Sequence, residues 1–406
     1  IPAHARRLRV VVEERLKRLT EFAEMFPCNR VEMGDADLGV ITSGVAYQYA
    51  REVFPRASFL KLGMTYPLPR RMIMDFAGRV ERLIVIEELD PFLEEHIRLM
   101  GVEVEGKSIF PSIGEFSTTV VRESAIEAGL LGEPERIEVV AVDSGALPAR
   151  PPVLCPGCPH RPVFTVLRKL KVPVTGDIGC YTLGVMPPLS SMHTCGCMGA
   201  SIGVAHGADK ADGNERFVAA IGDSTFFHTG LPALLNVAYN RSRVITVIMD
   251  NRITAMTGHQ DNPGTGLTLQ GQQTVELELE PIVRALGIER VYTVDSYDIG
   301  DVERVFRRCL EADGPSVVIT RRECALLPAV RKQYVALGVN PELCVACGAC
   351  IRTGCPALTR GGEIYEKTGK RKTRIDPLLC TGCEVCAQVC PQSAISFRAQ
   401  KEFASS

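Results

Sequence analysis

The sequence predicts an α/β protein that ends in a small cysteine-rich α+β domain. Apolar runs of strand length alternate with helix-like amphipathic segments through most of the chain. A Gly-Asp-Ser turn follows one of these runs, as at the carboxyl edge of an open parallel sheet, where ligands bind. Eight of the 16 cysteines then lie between Cys344 and Cys390 at short, regular intervals. This spacing favours metal–thiolate ligation over disulfides.

The composition is that of an ordinary soluble protein. The 406 residues are 46% hydrophobic and 23% charged, with a net charge of −2, so no positive field favours nucleic acid as a partner. No apolar run reaches the roughly 18–20 residues of a membrane span, and no signal peptide is visible. We therefore expect a cytoplasmic protein without a membrane partner. Because Ile1 is not an initiator Met, we expect a processed chain or a piece of a longer one.

Five segments are predicted from composition. We expect a linker helix over 1–35, an α/β domain over 36–144, a linker over 145–153, a second α/β domain over 154–332 and a cysteine-rich domain over 333–406. The first helix is amphipathic and stops at Pro27. The run GALPARPPV marks the boundary between the two α/β domains.

The first α/β domain resembles the carboxy-terminal domain of transketolase. Its strand–turn–helix units include Ser43-Gly44, which could bind a phosphate at a helix N-terminus or form an ordinary tight turn. Glu87-Glu88 follows the strand LIVI and could supply catalytic carboxylates, although a solvated loop or a domain contact is the favoured interpretation. The resemblance implies an architectural role for this domain.

The stretch from Gly222 to Gln260 organises the second α/β domain. Two apolar strands, 217–221 and 244–249, deliver Asp223 and Asn251 to one edge of the predicted sheet. Such oxygen donors suit Mg²⁺ on a diphosphate. The stretch resembles the thiamine-diphosphate signature, with Ser224 in place of its usual third Gly. The resemblance implies that Asp223, Asn251 and the Ile253 carbonyl hold Mg²⁺, and that the cofactor pocket includes Gly222, Asp223, Ser224, Asn251, Ile253, Thr254 and Cys180.

Four further cysteines are scattered through this domain. Cys155 and Cys158 form a C-x-x-C pair, Cys180 lies in GDIGCYTLG, and Cys324 follows the strand SVVIT. From the residues alone, a structural zinc, a redox dithiol and an iron–sulfur cluster all remain open. Cys195 and Cys197 are predicted to be buried thiols or walls of a cofactor pocket.

The last domain carries two C-x-x-C-x-x-C runs, each followed by a Cys-Pro pair. The offset of 36 between Cys344 and Cys380 indicates an internal duplication. This is the two-cluster ferredoxin pattern, in which the fourth Cys of each run ligates the other cluster. It predicts one [4Fe–4S] cluster on Cys344, Cys347, Cys350 and Cys390, and another on Cys355, Cys380, Cys383 and Cys386. Zinc is the alternative, but zinc sites seldom use two interleaved runs of this kind.

A thiamine-diphosphate site beside a two-cluster ferredoxin domain resembles the 2-oxoacid:ferredoxin oxidoreductases. The order of parts, with CPGCPHRP before the thiamine signature, most resembles the alpha subunits of the branch that acts on indolepyruvate, and the likeness covers essentially the whole chain. It implies a third [4Fe–4S] cluster on Cys155, Cys158, Cys180 and Cys324. The family's pyrimidine-binding domain, expected before Ile1, supplies the Glu that activates thiamine, so no catalytic residue is assigned in this chain.

The resemblance also implies a reaction and partners. We expect oxidative decarboxylation of arylpyruvates, such as indolepyruvate, with coenzyme A to aryl-acetyl-CoA and CO₂, the electrons passing through the clusters to ferredoxin. A smaller beta subunit and a higher oligomer of alpha–beta units are also implied. The alternatives are another 2-oxoacid:ferredoxin oxidoreductase, a non-redox thiamine decarboxylase, and an electron-transfer scaffold with a vestigial thiamine site. The residues do not select among indole-, phenyl- and hydroxyphenylpyruvate.

Overall fold

The protein forms two compact units, Ile1–Ala146 and Leu147–Ser406. The computed structural model describes residues 1–132, 150–211 and 215–397. Most of the predicted linker over 145–153 and the end of the predicted cysteine-rich domain therefore lie outside the described residues. Within the described ranges, no helix combines the length and the apolar composition that a membrane crossing requires.

The first unit is a four-stranded sheet with helices on both faces. Its elements are α1 (Pro2–Ala23), β1 (Arg30–Glu32), β2 (Asp35–Ser43), α2 (Ala46–Val53), β3 (Ala57–Leu62), α3 (Arg70–Ala77), β4 (Arg82–Ile86), α4 (Phe92–Leu99) and α5 (Thr118–Glu127). The strand order is β1-β3-β2-β4, and only β1 runs antiparallel. Alternate residues of β2 serve opposite cores, since Val40 packs with α2 and α5 whereas Ile41 packs with α3 and α4.

Two expectations for the first unit need correction. The helix of the 1–35 segment, expected to stop at Pro27, ends at Ala23, and Arg30–Glu32 forms the edge strand of the sheet. Glu87 is not a solvated loop residue, because its buried carboxylate accepts hydrogen bonds from the main-chain N–H groups of Leu93 (2.7 Å) and Glu94 (3.0 Å) at the start of α4. Glu88 likewise accepts from the N–H of Phe116 (2.8 Å). Both carboxylates therefore serve the local structure.

The second unit is built on a six-stranded parallel sheet in the order β6-β5-β7-β8-β10-β9. Its elements are α6 (His160–Leu170), β5 (Val174–Gly176), β6 (Thr194–Cys195), α7 (Ala200–Ala211), β7 (Val218–Gly222), α8 (Asp223–Thr225), α9 (Leu231–Tyr239), β8 (Ile245–Asp250), α10 (Leu279–Ala285), β9 (Arg290–Asp295), α11 (Ile299–Glu311) and β10 (Ser316–Arg321). A turn of π-helix over Phe226–Gly230 joins α8 to α9. Every residue of β7 and β8 is buried, and both strands are mainly apolar, with Thr246 and Asp250 as the polar residues of β8.

Strand register brings the functional segments to one edge. Gly222 of β7 pairs with Met249 of β8, and Asp250 pairs with Arg321 of β10. The residues that follow these strands therefore leave the sheet side by side. The main-chain N–H of Cys324 extends this alignment past the strands by donating to the carbonyl of Asn251 at 3.0 Å.

The cysteine-rich segment follows the large sheet. It contains α12 (Pro328–Arg331), β11 (Leu337–Val339), β12 (Leu358–Tyr365), β13 (Lys370–Ile375), α13 (Val385–Gln388) and β14 (Ile395–Phe397). β11 pairs with β14, and β12 pairs with β13 as a hairpin between the two cysteine runs. The segment has a small core of its own, yet it belongs to the same compact unit as the parallel sheet. The domain boundary predicted between 332 and 333 therefore lies within this compact unit and stays a prediction.

Candidate functional site

The turn after β7 places Asp223 at the carboxyl edge of the sheet. Gly222 ends the strand, and a Cβ there would lie 2.8 Å from the Tyr181 ring, so the close approach requires glycine. Asp223 begins the helical run, and its side chain is buried. The hydroxyl of Thr254 donates to Ser224 Oγ at 2.8 Å, which ties this turn to the loop after β8.

Asp223, Asn251 and Ile253 converge on one point. The outer amide atom of Asn251 lies 3.3 Å from Asp223 Oδ1 and 2.7 Å from the Ile253 carbonyl oxygen. The Asn251 amide can place either of its ends here: its nitrogen donates to both oxygens, whereas its oxygen, turned the same way, makes a set of three oxygens that face one another. Three such oxygens repel unless a cation or a proton lies between them, and carboxylate, amide and carbonyl oxygens are ligands that Mg²⁺ accepts. The donor set therefore fits the metal of a diphosphate cofactor.

The environment of Asp223 opposes its negative charge. Burial raises the pKa of this carboxyl to about 7, and the nearby Asp250 carboxylate acts in the same direction. Three donors act against this rise: the main-chain N–H groups of Ser224 and of Asp223 itself, and the side-chain amide of Asn262, whose Nδ2 lies 3.2 Å from Asp223 Oδ2. The buried Asn262 was not predicted as a site residue. It lies in the loop between β8 and α10, where no strand pattern marks it.

The predicted cofactor residues line one pocket. Gly222, Asp223, Ser224, Asn251, Ile253, Thr254 and Cys180 all contribute to its wall. His160 and Tyr181, which the sequence did not single out, also line it. The Tyr181 hydroxyl donates to the carboxylate of Asp177, a buried residue just after β5 that also accepts from the Ser201 hydroxyl at 2.7 Å.

The structure brings the four scattered cysteines together. Cys158 lies within electrostatic range of Cys155 and Cys180, and Cys324 lies within range of both Cys155 and Cys180. Burial raises the pKa of the Cys158 thiol to about 12 and also raises the pKa values of the Cys180 and Cys324 thiols. Thiolates here would therefore need a positive centre, such as bound iron. We refer to Cys155, Cys158, Cys180 and Cys324 as the four-thiol site.

The eight cysteines of the last segment separate into two groups. Cys344, Cys347, Cys350 and Cys390 line one small cavity. Cys383 lies within electrostatic range of Cys355 and Cys380, and Cys386 lies within range of all three and also of Cys350. The sequence assigns these two sets to two clusters, and that assignment stays a prediction. Within residues 1–132, 150–211 and 215–397, no three His, Cys, Asp or Glu side chains are grouped as ligands of a single metal ion.

A junction joins the four-thiol site to the second cysteine run. Gly157, between Cys155 and Cys158, has φ +67°, and a Cβ on it would lie 2.2 Å from Thr381 Oγ1. The buried Arg161 guanidinium donates to the carbonyls of Cys155 (2.8 Å) and Thr353 (3.2 Å).

Tyr297 completes this junction. Its hydroxyl donates to the Gly157 carbonyl, and its own carbonyl accepts from Gln388 Nε2 at 2.7 Å. Burial raises its pKa, and the Cys383 and Cys158 thiols both lie close enough to add to this rise. Tyr297 is thus adjacent to both cysteine groups.

Two other candidates fall outside these sites. Cys195 and Cys197 are exposed, so the expectation that they are buried thiols is wrong. Neither lines the pocket that contains Asp223. Gly44 has φ +57° with no atom within 4 Å of a Cβ built there, which is the geometry of a tight turn.

Comparisons with known proteins agree with this arrangement. Residues 177–320 match the family described as "Thiamine pyrophosphate enzyme, C-terminal TPP binding domain", and residues 336–402 match the "4Fe-4S dicluster domain". "Indolepyruvate oxidoreductase subunit IorA" of Pyrococcus horikoshii is 41% identical, over 97% of this chain and 66% of the relative. The subunit of the same name from Thermococcus kodakarensis is 38% identical, over 99% of this chain and 67% of the relative.

One solved structure is more distant. A 2-oxoglutarate:ferredoxin oxidoreductase from Magnetococcus marinus matches with a TM-score of 0.40 and 21% identity over 45% of this chain and 70% of that chain. This likeness is too distant to bear on the site.

The two domain matches place the chain among proteins that join a thiamine-diphosphate-binding domain to a 4Fe–4S dicluster domain. It belongs to the family of indolepyruvate oxidoreductase subunit IorA. The family resemblance predicted from the sequence is thereby confirmed, as is the fold class. The chain spans about two thirds of the length of the curated relatives it matches.

Proposed function

We propose that this chain is the alpha subunit of a 2-oxoacid:ferredoxin oxidoreductase that oxidises arylpyruvates, with indolepyruvate as the substrate. The single observation that carries the proposal is the position of Cys180. It belongs to the four-thiol site and also lines the pocket that contains Asp223 and Asn251. A redox centre would therefore adjoin a thiamine site, which a non-redox decarboxylase does not need.

The pocket residues have defined roles in this proposal. Asp223, Asn251 and the Ile253 carbonyl hold Mg²⁺, and the metal holds the diphosphate. Main-chain N–H groups at the start of the helical run after Gly222 face the same negative charge. Asn262 fixes the Asp223 carboxylate by donating to its second oxygen. When bound, thiamine diphosphate supplies the electron sink that permits decarboxylation of a 2-oxoacid.

The cysteines serve the oxidative half of the reaction. We assign a [4Fe–4S] cluster to the four-thiol site, one to Cys344, Cys347, Cys350 and Cys390, and one to Cys355, Cys380, Cys383 and Cys386. Oxidation of the decarboxylated substrate releases an electron pair, whereas each cluster accepts one electron at a time. The junction at Gly157 and Thr381 places the second group next to the four-thiol site. Electrons would thus leave through the dicluster segment to ferredoxin.

Coenzyme A and a second subunit complete the proposal. Coenzyme A accepts the acyl group, so the products are an aryl-acetyl-CoA, CO₂ and reduced ferredoxin. The word "subunit" in the relatives' names supports a partner chain, and we propose a smaller beta subunit in an oligomer of alpha–beta units. The general base that activates thiamine is not assigned to any residue of this chain.

Anaerobic reduction of ferredoxin by the complete complex tests this function. With indolepyruvate, coenzyme A and thiamine diphosphate we expect reduced ferredoxin, CO₂ and indole-acetyl-CoA. Omission of thiamine diphosphate from cofactor-depleted protein should abolish all three. Release of CO₂ without ferredoxin reduction would indicate a non-redox decarboxylase. Ferredoxin reduction by an artificial donor, with no response to any 2-oxoacid, would indicate an electron-transfer scaffold.

A further inference from the structure

His160 is a buried polar side chain beside the cofactor pocket that the proposed function leaves without a role. It is the first residue of α6, directly after the C-x-x-C turn, and is 3% exposed. Its main-chain N–H approaches the Cys158 thiol, while its side chain lines the pocket that contains Asp223 and Asn251. The residue therefore lies between the four-thiol site and the turn after β7.

The imidazole ring has no hydrogen-bond partner within the described residues. The ring packs edge-on against the Tyr181 ring, with 6.0 Å between the ring centroids. The ring nitrogens are not among the fully buried polar atoms that lack a partner, so they retain some access to open space. Because the side chain lines the pocket and polar groups at buried positions are nearly always paired, its N–H is available to a ligand with acceptor atoms.

The chemistry of the pocket selects the ligand atom. In the proposed metal site, the Asp223 carboxylate and the Ile253 carbonyl supply acceptor oxygens, and acceptor oxygens cannot donate to the diphosphate. Of the other hydroxyls of the wall, those of Tyr181, Thr254 and Thr257 already donate within the protein. The His160 ring remains, with the Ser224 and Thr225 hydroxyls, as a side-chain donor of the wall for diphosphate oxygens outside the metal's coordination.

We propose that His160 is a cofactor-binding residue whose ring N–H donates a hydrogen bond to a diphosphate oxygen of thiamine diphosphate. The inference rests on the proposed thiamine site and adds to it a donor from the C-x-x-C segment. Since the same residue's main chain approaches Cys158, it also fixes the diphosphate relative to the four-thiol site.

An isosteric pair of variants tests the donor directly. His160→Gln retains an N–H donor, whereas His160→Met has nearly the same length and none. We measure calorimetric affinity for Mg²⁺ and thiamine diphosphate in the complete complex. His160→Met should bind about tenfold more weakly than His160→Gln, as expected for loss of one hydrogen bond to a charged group. His206→Phe is the control, because His206 bonds to Ser242 and does not line the pocket.

A second ligand locates the contact. The affinity for magnesium pyrophosphate should differ between the two variants by the same factor, because the proposed hydrogen bond is to the diphosphate. Equal affinities of His160→Gln and His160→Met for thiamine diphosphate would overturn the proposal, as would a difference confined to thiamine diphosphate and absent for pyrophosphate. Failure of the wild-type complex to bind thiamine diphosphate would refute the proposed function instead, so the two failures are distinguishable.

Discussion

Asp223 is the residue on which the proposed thiamine site depends most. It is buried, it faces the Asn251 amide, and burial raises the pKa of its carboxyl to about 7. A carboxyl in that position is stabilised as an anion by a divalent cation. We therefore expect Asp223 to retain the cofactor and not to transfer protons.

Replacement of Asp223 by Ala should remove Mg²⁺ and thiamine diphosphate while the iron content stays unchanged. Loss of a residue outside the ligand shell commonly weakens a metal site by about 10–100-fold, so loss of a direct ligand should cost more. Calorimetric titration of the complex measures this change. Asp261→Ala, an exposed change in the nearby loop, is the matched control. An Asp223→Ala variant with wild-type affinity would remove Asp223 from the site.

Among individual site residues, the sequence predicts those that directly follow a strand and misses those that tertiary packing brings to the site. Asp223 and Asn251 directly follow apolar runs, so their meeting at one edge follows from strand register. Asn262 lies in a loop and His160 begins a helix, and both are beside the same pocket. No periodic pattern in the sequence predicts these positions. Glu87 was assigned to a solvated loop because its helix-capping bonds depend on how α4 begins.

At the level of structural elements, the C-x-x-C turn connects the four-thiol site to the dicluster segment. Gly157 gives it the left-handed backbone needed to pass Thr381, and Arg161 and Tyr297 bond to its carbonyls. The turn therefore supplies two thiols and also fixes the dicluster segment. Spacing alone left open whether these thiols bind zinc, form a dithiol or hold a cluster, because spacing contains no information about Cys180 and Cys324.

Gly157→Ala should disturb this junction. The left-handed backbone costs roughly 1–2 kcal/mol for Ala, and the added Cβ must also displace Thr381. Gly369→Ala is the matched control, because Gly369 has φ +65° and open space around it. We expect Gly157→Ala to slow ferredoxin reduction and to lower the free energy of unfolding further than the control does. If the two variants behave alike in kinetics and in denaturation, Thr381 and Gly157 do not form a functional contact.

For the whole molecule, the composition and motifs predicted the fold class but not the way the second unit is assembled. The dicluster pattern predicts a domain that begins at residue 333, but it does not predict contacts such as that from Arg161 to Thr353, which connect this segment to the parallel-sheet domain within one compact unit. These contacts join residues nearly two hundred positions apart in sequence, and local patterns do not report on such pairs. The proposed electron path depends on these contacts between the parallel-sheet domain and the dicluster segment.

Anaerobic iron analysis tests the number of clusters. We expect about twelve irons per chain, from three [4Fe–4S] clusters, and about eight in a Cys155→Ser/Cys158→Ser variant. The control is Cys195→Ser/Cys197→Ser, two exposed cysteines outside all three groups, which should retain the wild-type content. About eight irons in the wild type, unchanged by the Cys155→Ser/Cys158→Ser substitution, would eliminate the third cluster.

The central claim is that electrons pass from the thiamine site through the four-thiol site into the dicluster segment. The most direct measurement is anaerobic reduction of the protein's own clusters by indolepyruvate and coenzyme A, followed spectroscopically with no external acceptor. The wild-type complex should show reduced dicluster centres, and the Cys155→Ser/Cys158→Ser variant should keep those centres oxidised while an artificial donor still reduces them. Equally fast reduction of the dicluster centres by indolepyruvate in both proteins would contradict the account.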